Sequence, residues 1–207
     1  IGSYAFYKTK ITGIEFYDYL QYIENEAFSY CNSLSGSLAF PESLIYIGDN
    51  AFSHCRGLTG RLELPSSLEY IGDYAFYMAG SFVGDLMIPE KTTKLGSCAF
   101  HESGFTGNLY LNNVTDFGEA HSGTNTGCFY GCNFKGELVI PEGTLTLPCA
   151  CFRNTGFSSI KLPSSLKTID EEVFMNCPRL TGEIVIPNEC ISIGNKAFYQ
   201  CNQLNKI

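Results

Sequence analysis

One phrase recurs along this chain with offsets too regular for an ordinary globular fold. LAFPESLIYIGDNAF at 38–52, LELPSSLEYIGDYAF at 62–76 and IKLPSSLKTIDEEVF at 160–174 share a Pro, an Ile and a Phe in register. Phe recurs at 6, 28, 52, 76, 100, 129, 152, 174 and 198, with gaps of 22 to 24 residues except for one of 29. Each Pro at 41, 65, 89, 141, 163 and 187 is followed by Phe eleven residues on. Tyr17 holds the Pro slot in the first unit and Asn112 holds it in the fifth. Self-similarity at this period means stacked units, because one such unit cannot bury its apolar side without a neighbour.

The phrase also dictates local structure. Leu62 and Leu64 alternate with Arg61 and Glu63, the period of a strand with one face inward. Pro65 ends that strand, since it has no N–H to continue a ladder. Leu68 and Ile71 are two further inward anchors, and Gly72 permits a turn. The following DYAF reads as a short helical or tight turn that plants Phe76 in the core. The repeat Phe residues are expected to stack as one buried column.

The unit C-x-x-L-x-G-x-L-x-[IL]-P-x-S-L-x-x-I-G-x-x-A-F, with IGDNAF, IGDYAF and IGNKAF as its most specific parts, resembles the BspA-like leucine-rich repeat. The resemblance covers essentially the whole of 1–207 in about eight units. It implies a right-handed solenoid with a parallel sheet on one face. It also implies proteins displayed on mucosal bacteria and some protozoa, with roles in adhesion or host-protein binding. Units five and six depart from the pattern, with FGEAHSGTNTGCF and LPCACF in place of IGxxAF.

Composition narrows the function. The 13 basic and 21 acidic residues leave a net charge of −8 with no basic run, which argues against nucleic acid or an anionic membrane as partner. No apolar run approaches the ~18 residues of a membrane-spanning helix. No signal peptide opens the chain. The chain begins and ends inside units, so the reading is a single solenoid cut from a longer array, with its end units fraying.

Ten cysteines invite a disulfide reading. Five of them, Cys31, Cys55, Cys132, Cys177 and Cys201, fall three residues after the repeat Phe. Ala79, Ser103 and Thr155 take the same slot elsewhere. A slot that accepts these residues wants a small buried side chain, so free thiols are favoured over bonds between stacked neighbours. No CxxC pair supports zinc. The three His fall at different offsets from the repeat Phe and are expected on no common face. No catalytic motif or phosphate loop occurs, so neither an enzyme nor a cofactor is expected. Asn113-Val114-Thr115 is a glycosylation sequon by pattern alone.

Two features stand out. Alternation places Arg61, Glu63, Asp85, Met87, Asn108, Tyr110, Glu137 and Lys161, with Glu15, Ser37, Ala39, Val139, Glu183 and Val185, on one outward stripe of roughly 35 Å at ~4.8 Å per strand. The stripe reads either as a surface for a protein or glycan ligand or as a plain solvated face. Tyr22, Tyr46 and Tyr70 form a second series, read as packing ahead of a sticky ladder. The leading function is a non-catalytic, extracellular or surface-displayed module that binds a host or neighbouring protein. The alternative is a spacer that holds another domain away from the cell. Finally, Asn112 to Phe129 spans 17 residues against eleven elsewhere. The six extra residues, near 119–127, read as a protruding loop in which Glu119 and His121 make at most a weak metal site.

Overall fold

The computed structural model describes residues 1–119 and 126–207. Most of the inserted segment, His121 included, lies outside the described residues. The chain winds as a parallel-strand solenoid of about eight turns. Each turn has two short extended sides and one side made of tight turns. On the first side, the LxLP segments pair in parallel: Leu86 and Met87 lie against Leu109 and Tyr110, and Glu137–Val139 against Ser159–Lys161. On the second, Tyr22–Ile23, Tyr46–Ile47 and Tyr70–Ile71 form one ladder, and Thr146–Leu147, Thr168–Ile169 and Ser192–Ile193 form another. Side chains between the sides carry part of the stacking. The Ser43, Ser67, Thr92 and Ser165 hydroxyls each donate to a carbonyl one unit earlier, at 2.6–2.9 Å. That bond explains the Ser of the LPSSL phrase.

The repeat Phe residues form the expected column. From Phe6 to Phe198 their ring centroids are 5.0–5.6 Å apart and their planes lie within 17°. Those from Phe28 to Phe174 are at most 1% exposed. A second column, Phe82, Phe105, Phe134 and Phe157, stacks beside it at 5.3–5.6 Å and meets it edge to face. This column is hidden in the sequence because Leu34, Leu58 and Leu180 fill the same place in other units.

The third side is not helical; no helix occurs among the described residues. Instead, residues two before and two after the repeat Phe adopt left-handed φ in every unit except that of Phe129, where only Gly131 does. Asn50 and His54 (54° and 58°) flank Phe52, and Glu172 and Asn176 (60° and 56°) flank Phe174. This geometry turns every second N–H along the solenoid axis. Asn50, Phe52 and His54 donate to the carbonyls of Asp73, Ala75 and Tyr77 in the next unit at 2.7–2.8 Å. A helix would spend those N–H groups within its own unit; here they bind neighbours, which offsets the left-handed strain. Gly72 has a different task from the one expected. Its φ is not positive; a Cβ there would lie 2.6 Å from Asp49 N and 2.7 Å from Gly48 C in the preceding unit. The residue is Gly so that adjacent turns can touch.

The cysteine slot is more specific than small and buried. Cys31, Cys55, Cys132, Cys177 and Cys201 donate their thiols to the carbonyl of the preceding unit's Phe at 2.9–3.3 Å, as does the Ser103 hydroxyl. All ten cysteines are free. Burial pushes Cys55 and Cys132 up to about 12, so they remain thiol donors rather than nucleophiles.

Unit five corrects the repeat alignment. Val114 N–H bonds Leu111 O at 3.0 Å, just as Leu68 N–H bonds Pro65 O, so Leu111 takes the Pro slot and Asn112 does not. The insertion before Phe129 is therefore one residue longer than the spacing from Asn112 implied. Phe117, 2% exposed, occupies the place of Ile71. The Phe column passes this unit unbroken, with Phe100 and Phe129 5.6 Å apart.

Candidate binding face

The alternation of the LxLP strands sends Leu62, Leu86, Leu109 and Leu138 inward and their neighbours outward. Of the eight residues singled out by sequence, seven are exposed and Asn108 is half-buried. They open onto three grooves on this one side. Arg61, Glu63, Asp85 and Met87 line a groove of about 780 Å³. Asn108, Tyr110 and Glu137 line one of about 440 Å³. Glu137 and Lys161 line a third of about 740 Å³. Asp85 Oδ1 accepts the Asn108 N–H at 2.7 Å, so this carboxylate also ties two units together.

The structure adds a row that the sequence reading missed. Glu42, Glu90 and Glu142 follow the Pro of their units and form the far rim of the grooves. Their shared place after Pro was the one signal, broken in alternate units by Ser66 and Ser164. Glu142 receives the backbone N–H and hydroxyl of Ser164, which hold its carboxyl below the usual range. Down the middle run three neighbouring exposed apolar side chains, Met87 (59%), Tyr110 (43%) and Val139 (45%), with Val185 (71%) beyond Lys161. The face thus has an apolar centre between two polar edges that carry more acidic than basic residues.

A fourth groove, of about 540 Å³, is more apolar but lies elsewhere. It is lined by Phe6, Phe16 and Phe28, the open end of the stacked core, and by none of the stripe apart from Glu15. In the Tyr series, Tyr46 and Tyr70 stack 4.8 Å apart and within 6° of parallel, while Tyr22 meets Tyr46 at 6.2 Å and a tilt of 44°. The rings spend their faces on each other.

Two histidines share a face after all. Tyr30, His54, Tyr77, His101 and Tyr130 form an outer column on the turn side, with successive centroids 4.4–5.3 Å apart. Sequence offsets hid this because Tyr30 and His54 stand two residues after Phe while the others stand one after. His101 is 3% exposed, its Nδ1 has no hydrogen-bond partner among the described residues, and burial lowers its pKa to about 4. Asn113 is exposed, and its amide donates to Glu90 O at 2.9 Å. Among the described residues no three His, Cys, Asp or Glu side chains converge on a metal position. No helix among them is long and apolar enough to cross a membrane.

Parallel strands stacked in units of 22 to 24 residues, with inward Leu and an open outer face, define a leucine-rich-repeat solenoid. The family model described as a BspA type leucine rich repeat region (6 copies) matches residues 1–121 and 123–207. The chain belongs to this BspA-type family. No curated protein matches it in sequence. Its fold is similar to that of the T. pallidum leucine rich repeat protein, with 25% identity, a TM-score of 0.58, and 90% of this chain and 72% of that one covered. A leucine-rich repeat protein from Eubacterium ventriosum is similar at 20% identity and a TM-score of 0.64, covering 86% of this chain and 46% of that one. A leucine rich cell surface protein from Faecalibacterium prausnitzii is similar at 23% identity and a TM-score of 0.51, covering 88% and 55%. The chain spans about half the length of the last two.

Proposed function

We propose that this chain is a protein-binding module whose contact surface is the LxLP face. One observation carries the reading: residues selected by alternation alone open onto three neighbouring grooves on a single side. Solenoids offer extended surfaces of this kind to partners. The second strand side gives much of its exposed aromatic surface to its own Tyr stack. We further propose display at a cell surface, where the module attaches to a host or neighbouring protein. Family membership and the similarity to the Faecalibacterium cell surface protein favour this setting.

The test begins with an unbiased displayed peptide library panned against the chain. Selected peptides are expected to lose binding at least tenfold to Met87→Glu/Val139→Glu, and to keep it with Thr168→Glu/Ser192→Glu on the second strand side. The reverse pattern would overturn the choice of face. A library that yields no binder would favour the spacer reading. Labelling of intact cells with an antibody to the chain tests surface display; signal only after permeabilisation would contradict it.

A further inference from the structure

The three rows of the LxLP face specify the chemistry of the partner, provided that face is the binding surface. The central row runs Ala39, Glu63, Met87, Tyr110, Val139, Lys161 and Val185, one outward residue per unit just before the Pro slot, and its exposed Met87, Tyr110 and Val139 are neighbours, with Val185 set apart by Lys161. Met87 pairs with Tyr110, and Tyr110 and Val139 line one groove. Asp85, Glu137 and Glu183 stand along one edge, and Glu42, Glu90 and Glu142 along the other. Across the three grooves eight carboxylates face three lining cations; Lys206 and Lys167, just outside, pair with Glu183 and Glu189, which leaves a balance of −3. The carboxylates of Glu63, Glu90 and Glu137 make no hydrogen bond or ion pair with the described residues.

We infer that the face takes a cationic amphipathic helix, laid along the solenoid axis with its apolar stripe on Met87, Tyr110 and Val139 and Lys or Arg on both flanks. Charge complementarity sets the sign of the partner. The three-row layout sets its form. An extended strand presents one row of side chains to a surface, whereas a helix presents an apolar stripe with polar positions on both sides of it. A helix is ~10–12 Å wide with its side chains. Five residues of strand separate the two acidic rows, at most ~17 Å, a gap that flexible Lys and Arg chains close from a central helix. In length, seven units at ~4.8 Å span ~29 Å, matched by a helix of about 20 residues.

Three synthetic 18-residue peptides test this by fluorescence anisotropy. One has a Leu stripe flanked by Lys, one has the same composition scrambled to destroy the stripe, and one has Glu in place of Lys. The Leu/Lys helix is expected to bind at least tenfold more tightly than the other two, and to weaken at least tenfold between 50 and 500 mM salt. Glu90→Gln/Glu137→Gln is expected to weaken it fivefold or more, while Glu69→Gln/Glu102→Gln, with the same change in net charge off this face, leaves it unchanged. Equal binding by the scrambled peptide, or equal loss from both double variants, would mean diffuse attraction to an acidic protein and would overturn the inference. If library-selected peptides map to this face but are neither cationic nor helical, the inference fails while the binding-face reading stands. If they map elsewhere, both fail.

Discussion

Phe76 carries the clearest residue-scale consequence. It sits 5.4 Å from Phe52, 5.3 Å from Phe100 and edge-on to Phe82, with no exposed surface. Truncation to Ala leaves a hole that rigid neighbours on both sides cannot fill, so a loss of about 3–5 kcal/mol is expected. An unchanged denaturation midpoint would contradict the column. Gly72→Ala adds a single methyl group, yet it drives that methyl into the backbone of the preceding unit. An overpacking loss of about 1–3 kcal/mol is expected from the same measurement; a gain, as for a Gly that merely turns the chain, would refute the close-approach account. His101 makes the fold sensitive to acid. Its folded value of about 4 lies below the ordinary 6.5, so folding favours the neutral ring. Its contribution is complete above pH 6.5 and is lost progressively as the pH falls towards 4. The ring stacks between Tyr77 and Tyr130 at 4.7 and 4.6 Å. His101→Phe keeps that stack and is expected to flatten the fall in melting temperature between pH 6.5 and 5. A slope identical to wild type would exclude His101 as its source.

At the scale of one repeat, the left-handed residues are the feature most worth perturbing. Asn50→Gly is expected to change stability little, while Asn50→Val, β-branched at a φ of 54°, is expected to cost about 1–2 kcal/mol. Tolerance of Val in chemical denaturation would mean the turn relaxes and the inter-unit N–H ladder is dispensable. These residues also show where sequence reading stops. The Pro-to-Phe spacing announced the Phe column, and Leu alternation announced the LxLP side, because burial selects residue type directly. Left-handed φ does not: Asn50, Tyr74, Glu172 and Lys196 share it without sharing chemistry. The conformation is imposed by carbonyls in the next unit, which a local window does not contain. The same cause explains Leu111, whose place in the fold is fixed by a turn hydrogen bond while its letter matches no Pro. It explains the His column as well, since residues one and two positions past Phe reach the same stack only once adjacent turns are superposed.

Over the whole molecule, stacking makes the surface a set of rows, each as long as the array. The Phe rows hold the units together, the turn side joins them by N–H bonds, and the LxLP rows are left open to solvent as an apolar line between carboxylates. The eight stripe residues were legible because a strand has only two faces. The acidic row after Pro was not, because Glu42, Glu90 and Glu142 alternate with Ser66, Asn112 and Ser164 and look like ordinary surface until the units are stacked. The claim that this face binds is tested most directly by amide hydrogen exchange of the chain with and without a peptide selected from the unbiased library. Protection is expected at 61–63, 85–87, 108–110, 137–139 and 159–161, with exchange unchanged at 46–47, 70–71 and 168–169. Protection confined to the Tyr46–Tyr70 side or to the turns beside the His column would contradict it.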